Sequence, residues 1–118
     1  MKTRIIILVI ASIILLGAAG ASFYYFKIQK PAQIQAQLDK EELKRKAKVL
    51  YDVSQRQNLD FTKGPCLGHI NDDWVVDLVH QPRNSDDEVP ENQCTSFLMG
   101  QAHHFIELDL NGNFVWME

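Results

Sequence analysis

The sequence predicts an α+β protein. It reads as an N-terminal transmembrane helix, a helical stalk and a small extracytoplasmic head whose three-stranded antiparallel sheet includes a C-terminal β-hairpin. Three observations carry this reading. Residues 5–26, IIILVIASIILLGAAGASFYYF, contain no charge, no Asn, Gln or His, and no Pro. Residues 32–57 contain no Gly or Pro and are rich in Gln, Ala, Lys, Glu and Leu, all good helix formers. Residues 103–117 set Asn111-Gly112 between two apolar runs, a strong short-range hairpin signal.

The first stretch is the anchor. As a helix, its 22 residues span about 33 Å, enough to cross a hydrocarbon core of about 30 Å. In lipid the backbone must satisfy its own hydrogen bonds, so a single span is helical. Phe23, Tyr24, Tyr25 and Phe26, followed by Lys27, suit an aromatic belt and a snorkelling cation at the water interface. The competing expectation is a cleaved signal peptide. Lys2 and Arg4 would be its basic region, and Ala19-Gly20-Ala21 the small-residue site, with secretion after cleavage near Ala21. Apolar residues resume at once with Phe23, which favours a retained anchor.

The chain divides into an anchor (1–26), a juxtamembrane stalk (27–58) and a head (59–118), and its charge divides the same way. The anchor region carries Lys2 and Arg4. The stalk carries eight Lys/Arg against four acids, and the head carries only Lys63 and Arg83 against eleven acids. The net charge of −3 therefore hides a basic stem and an acidic head. Such a head meets phosphate with the wrong sign, which excludes nucleic acid as the expected partner. It suits membrane lipid along residues 5–26 and another envelope protein at the head. The short basic N-terminus favours the inside, with the C-terminal domain outside the plasma membrane.

In the stalk, Pro31 fits a first-turn position. Glu41–Arg45 and Glu42–Lys46 are i,i+4 pairs in the favourable order. Leu43, Ala47, Leu50 and Ser54 form one stripe, while Ile34 and Leu38 fall nearly opposite. No seam runs the whole length, so a coiled-coil homodimer is not the favoured expectation.

Residues 58–65, NLDFTKGP, read as a break before the head. Residues 74–80 read as a strand with Trp74, Val76 and Leu78 on one face and Val75, Asp77 and Val79 on the other. Residues 81–93, QPRNSDDEVPENQ, read as an exposed acidic loop. In the hairpin a type I′ turn at Asn111-Gly112 pairs Leu108 with Val115, Ile106 with Met117, Glu107 with Trp116 and Asp109 with Phe114. The stem helix or the turn near Cys94 is expected to cover one face of the sheet.

Two cysteines, Cys66 and Cys94, predict a disulfide in an exported domain this small. It would close about 29 residues and contribute roughly 3–4 kcal/mol. The alternative is a metal site made of Cys66, His69, Cys94 and one of His103 and His104, since C-x-x-H spacing suits zinc. A Cys/His enzyme centred on Cys66 and His103 or His104 is the remaining chemical alternative. Asp109, Asn111 and Asn113 do not complete a calcium loop, because the pattern lacks Gly at its sixth position and Glu at its twelfth. No cofactor is expected.

A basic stem at a membrane, a helical stalk and a disulfide-bearing β head together resemble the pseudopilins in architecture. The Gly-Phe cleavage site and the Glu five residues beyond it, which mark that family, are absent, so the resemblance assigns no residues. The expected role is that of a membrane-anchored interaction or envelope-structural module without catalytic activity of its own.

Overall fold

A computed structural model describes all 118 residues. The elements are α1 (Lys2–Tyr24), one π-helical turn (Tyr25–Gln29), α2 (Lys30–Arg56), β1 (Cys66–His69), β2 (Trp74–Val79), a 3-10 turn (Ser85–Glu88), α3 (Thr95–Leu98), β3 (His104–Asp109) and β4 (Phe114–Met117). The chain is helical without a break from Lys2 to Arg56. It forms two compact units, residues 1–40 and 41–118.

The first unit is helix alone. α1 has no buried residue, and Ile5 to Leu16 stand exposed along it, as do Phe23, Tyr24, Tyr25 and Phe26. In water this is a large unfavourable apolar surface. The helix is long and apolar enough to span a membrane. Lys30 caps the aromatic cluster with its ammonium 4.9 Å from the Phe26 ring centroid.

The second unit is a four-stranded mixed sheet in the order β1-β2-β3-β4. Three antiparallel strands are the sequence expectation, and the sheet differs from it in two ways. β1 is an added strand, antiparallel to β2 and bulged between Cys66 and Gly68. Four residues with a glycine at φ 116° carry no alternation for periodicity to detect. β2 and β3 run parallel, with Trp74 opposite His104 through to Val79 opposite Asp109. Parallel neighbours need a crossover of a dozen residues or more, and residues 80–103 provide one.

The two faces of the sheet are covered differently. On one, Val76, Leu78, Ile106 and Leu108 pack against Ala47 and Tyr51 of α2, with Leu43 and Leu50 beside them. Leu43, Ala47, Leu50 and Ser54 lie on the packed side, as their spacing predicts. The Tyr51 hydroxyl donates to the Leu110 carbonyl at 3.0 Å, which pins the helix to the end of β3. On the other face, Val75 packs with Cys94 and Ala102 under the crossover, with Phe105 alongside. Helix and crossover each cover one face, where the sequence leads one to expect a single cover.

The hairpin register holds at Ile106–Met117 and Glu107–Trp116, then shifts so that Leu108 meets Phe114 rather than Val115. Its turn is not type I′. Among residues 110–112 only Gly112 has positive φ, at 81°, and the Gly112 N–H donates to the Asp109 carbonyl at 2.9 Å. The Asp109 carboxylate instead accepts from the amides of Asn111 and Asn113, making a three-residue loop with a glycine bulge. Gly112 is buried beneath Tyr51, and a Cβ there would lie 2.7 Å from the Tyr51 ring. Glycine is needed twice over, for its φ and for its lack of a side chain.

Candidate functional site

Cys66 and Cys94 are joined in a disulfide with their Cα atoms 4.8 Å apart, which ties β1 to the start of α3. Both sulfurs are therefore in the bridge and neither is free as a thiolate. The histidines lie elsewhere. His69 Nδ1 faces the Asn71 carbonyl at 3.2 Å, His103 Nδ1 binds the Asp73 carboxylate, and the His104 ring stacks on Trp74 at 4.6 Å. Cys66, His69, Cys94, His103 and His104 are not brought together, and no group of three or more His, Cys, Asp or Glu side chains is arranged to hold a metal ion.

What the crossover does create is a recess of about 180 Å³ on its face of the sheet. Its floor is β2 and β3, with Val75 and Phe105 at one level and Asp77 and Glu107 at the next. Its walls come from the crossover: Arg83, Asp87, Gln93, Cys94 and Phe97. Phe97 meets Phe105 edge to face at 4.9 Å. The lining contains no hydroxyl, amine or free thiol.

Asp77 and Glu107 are direct cross-strand partners, so parallel pairing sets two carboxyl groups on the same face. Arg83 answers one of them, donating to Glu107 Oε1 at 2.7 Å, with Glu88 at 3.6 Å from the same guanidinium. Glu107 holds the Arg83 guanidinium all the more firmly protonated. Asp77 has no such partner, and its Oδ1 is buried without a hydrogen bond. Burial, and then the Glu107 carboxylate, push Asp77 up to about 7. Desolvation disfavours the charged form, and a second negative charge on the neighbouring strand adds to it. Asp77 can therefore take up and release a proton near neutrality.

Asp87 is a further buried acid, with its side chain fully enclosed. Its Oδ1 accepts from the His80 amide at 3.0 Å and meets His80 Nδ1 at 2.8 Å, while Oδ2 accepts from the Asn84 amide at 2.9 Å. Burial alone would raise Asp87. The Asn84 and His80 hydrogen bonds outweigh it and hold the carboxyl below its ordinary value. The same contact with Asp87 raises His80. The loop at residues 81–93 is therefore not simply solvated. Composition marks it as acidic and polar, but one of its acids is the buried post on which it is fastened.

The alternation of residues 74–79 places Asp77 on a sheet face, yet gives no sign that this face is covered. The signal that was available is the length of the segment between the two strands, which allows a crossover above an inward-facing acid. Compared with known family models, curated proteins and solved structures, the chain finds no match among any of them.

Proposed function

We propose that this chain is a single-pass membrane protein, N-terminus inside, which presents a disulfide-stapled acidic domain outside the plasma membrane as an interaction or envelope-structural module. The observation that carries the reading is the charge-free segment of residues 5–26, helical and wholly without protein contacts to bury it. A disulfide in so small a domain supports export, since reducing compartments seldom keep one. The recess beside Asp77 and Glu107 is the concave surface on which a partner from the envelope would be recognised. The two carboxyls on its floor, Asp77 and Glu107, favour a basic partner group.

Membrane extraction tests the anchor. Full-length protein should stay with membranes through alkaline carbonate, require detergent for release, and retain residues 1–21 by intact mass. A soluble product beginning at Ser22 would replace the anchored module with a secreted form of the same domain.

A further inference from the structure

The stretch between β2 and Cys94 is fastened at three points, and a proton bears on two of them. At its start, His80 Nδ1 meets Asp87 Oδ1 at 2.8 Å and Nε2 meets the Thr62 carbonyl at 3.1 Å. Both partners are acceptors. Only an imidazolium, with hydrogen on both nitrogens, satisfies them together. In the middle, Arg83 reaches down to Glu107. Beneath it lies Asp77, whose Oδ1 is buried without a partner. When Asp77 ionises, a second carboxylate stands beside Glu107, with one guanidinium to serve both. At the far end the Cys66–Cys94 bridge is covalent and independent of pH. Movement is thereby confined to residues 81–93.

We propose that residues 81–93 form a proton-operated latch over the recess, seated while Asp77 holds its proton and His80 its charge, and released when both protons leave. The proposal does not depend on the membrane reading. The ionisable groups facing Asp77 are Glu107 from β3 and Arg83 and Asp87 from the latch; β1 contributes Cys66, which is bridged. Those facing His80 are Asp87 and Asp86. With Asp77 pushed up to about 7 and His80 raised above its ordinary value by Asp87, both protons are lost as pH rises. The two losses act together. One adds a buried negative charge under the latch and the other removes a positive charge from its hinge. Release uncovers Phe105 and the two sheet carboxyls, so binding at the recess becomes sensitive to the surrounding pH.

Hydrogen–deuterium exchange on the full-length protein in detergent micelles tests this, at about pH 5.5, 7 and 8.5, with labelling times scaled to the intrinsic amide rate at each pH. Protection of residues 84–93 should fall roughly tenfold or more between the lowest and highest pH, while β2 and β3 stay protected. Asp77→Asn should keep the latch protected at the highest pH. His80→Ala should stay protected at the lowest pH, where Asp77 keeps its proton, and lose protection in step with Asp77 alone as pH rises, with the sheet amides reporting that the fold persists. Equal latch protection across the series would overturn the proposal, as would an Asp77→Asn protein that follows the parent. Loss of sheet and latch together would make the event global unfolding and overturn it equally. The parent series decides between these outcomes even where a variant fails to fold.

Discussion

Asp77 on β2 and Glu107 on β3 stand directly opposite one another across a parallel strand pair, and only Glu107 has a cationic partner, Arg83. The cost of that asymmetry falls on Asp77, which burial and Glu107 raise to about 7. A folded-state value above the unfolded one means that the native state binds the extra proton. The associated stability is complete below the unfolded value of 3.8 and is lost as pH rises toward 7. Asp77→Asn keeps the shape and removes the titration. Its melting temperature should match the parent near pH 4 and exceed it at pH 8 by roughly 5 °C or more. Thermal melts followed by near-ultraviolet circular dichroism of the head would check this. A variant less stable than the parent at pH 8 would mean that ionised Asp77 is stabilised by contacts other than those described.

His80 adds to the same alkaline slope, because its raised value keeps the Asp87 contact charged until pH climbs through it. Asp87 and Asp109 work in the other direction. Burial would raise each of them, but hydrogen bonds, chiefly from Asn84 to Asp87 and from Asn113 to Asp109, hold both low. Their contribution is present above 3.8 and lost as pH falls through the folded values. Stability of the head should therefore peak near about pH 4 and decline on both sides. A plateau reaching pH 8 would show that neither Asp77 nor His80 is coupled to folding.

Gly112 offers a sharper test of the hairpin. Its φ of 81° and the Tyr51 ring 2.7 Å from a would-be Cβ both oppose any side chain. Gly112→Val should cost more than about 1 kcal/mol in chemical unfolding. Tyr51→Phe, which leaves the Leu110 carbonyl without its donor, should cost about 1 kcal/mol. Ser85→Ala, at an exposed position, should be nearly silent. Equal and small effects from all three would place the packing of α2 against the turn in error.

The hairpin also shows how far the sequence reaches. Asn111-Gly112 locates the turn, and the apolar runs set the register at Ile106–Met117 and Glu107–Trp116. The turn type escaped because Asp109 captures the Asn111 and Asn113 amides, a local bond that competes with the two-residue loop. The stripe through Leu43, Ala47 and Leu50 was legible from helical spacing, whereas Tyr51 was not, since its burial depends on a carbonyl 59 residues away. Cys66 and Cys94 announced their bridge by number and context. The recess could not be read in the same way. Asp77 and Glu107 become neighbours only through a parallel pairing, which no local pattern encodes.

The bridge itself predicts a response to reductant. Replacing both cysteines, Cys66→Ser with Cys94→Ser, should lower the melting temperature of the head by about 10 °C or more. Dithiothreitol should lower it similarly in the parent protein, and a chelator should leave it unchanged. His69→Ala should be mild, because the ring makes one contact, with the Asn71 carbonyl, at an exposed position. Unfolding by the chelator without any response to reductant would replace the structural bridge with a metal site.

Where the acidic head resides decides the proposed role most directly. Intact cells expressing the chain with one epitope before Met1 and another after Glu118 can be exposed to external protease, after the outer barrier is opened where there is one. A head presented outside predicts that the C-terminal epitope is lost, that the N-terminal epitope survives until the membrane is dissolved, and that both remain on one membrane-bound chain beforehand. Survival of the C-terminal epitope in intact cells, with digestion only after detergent, would put the head inside and contradict the proposal.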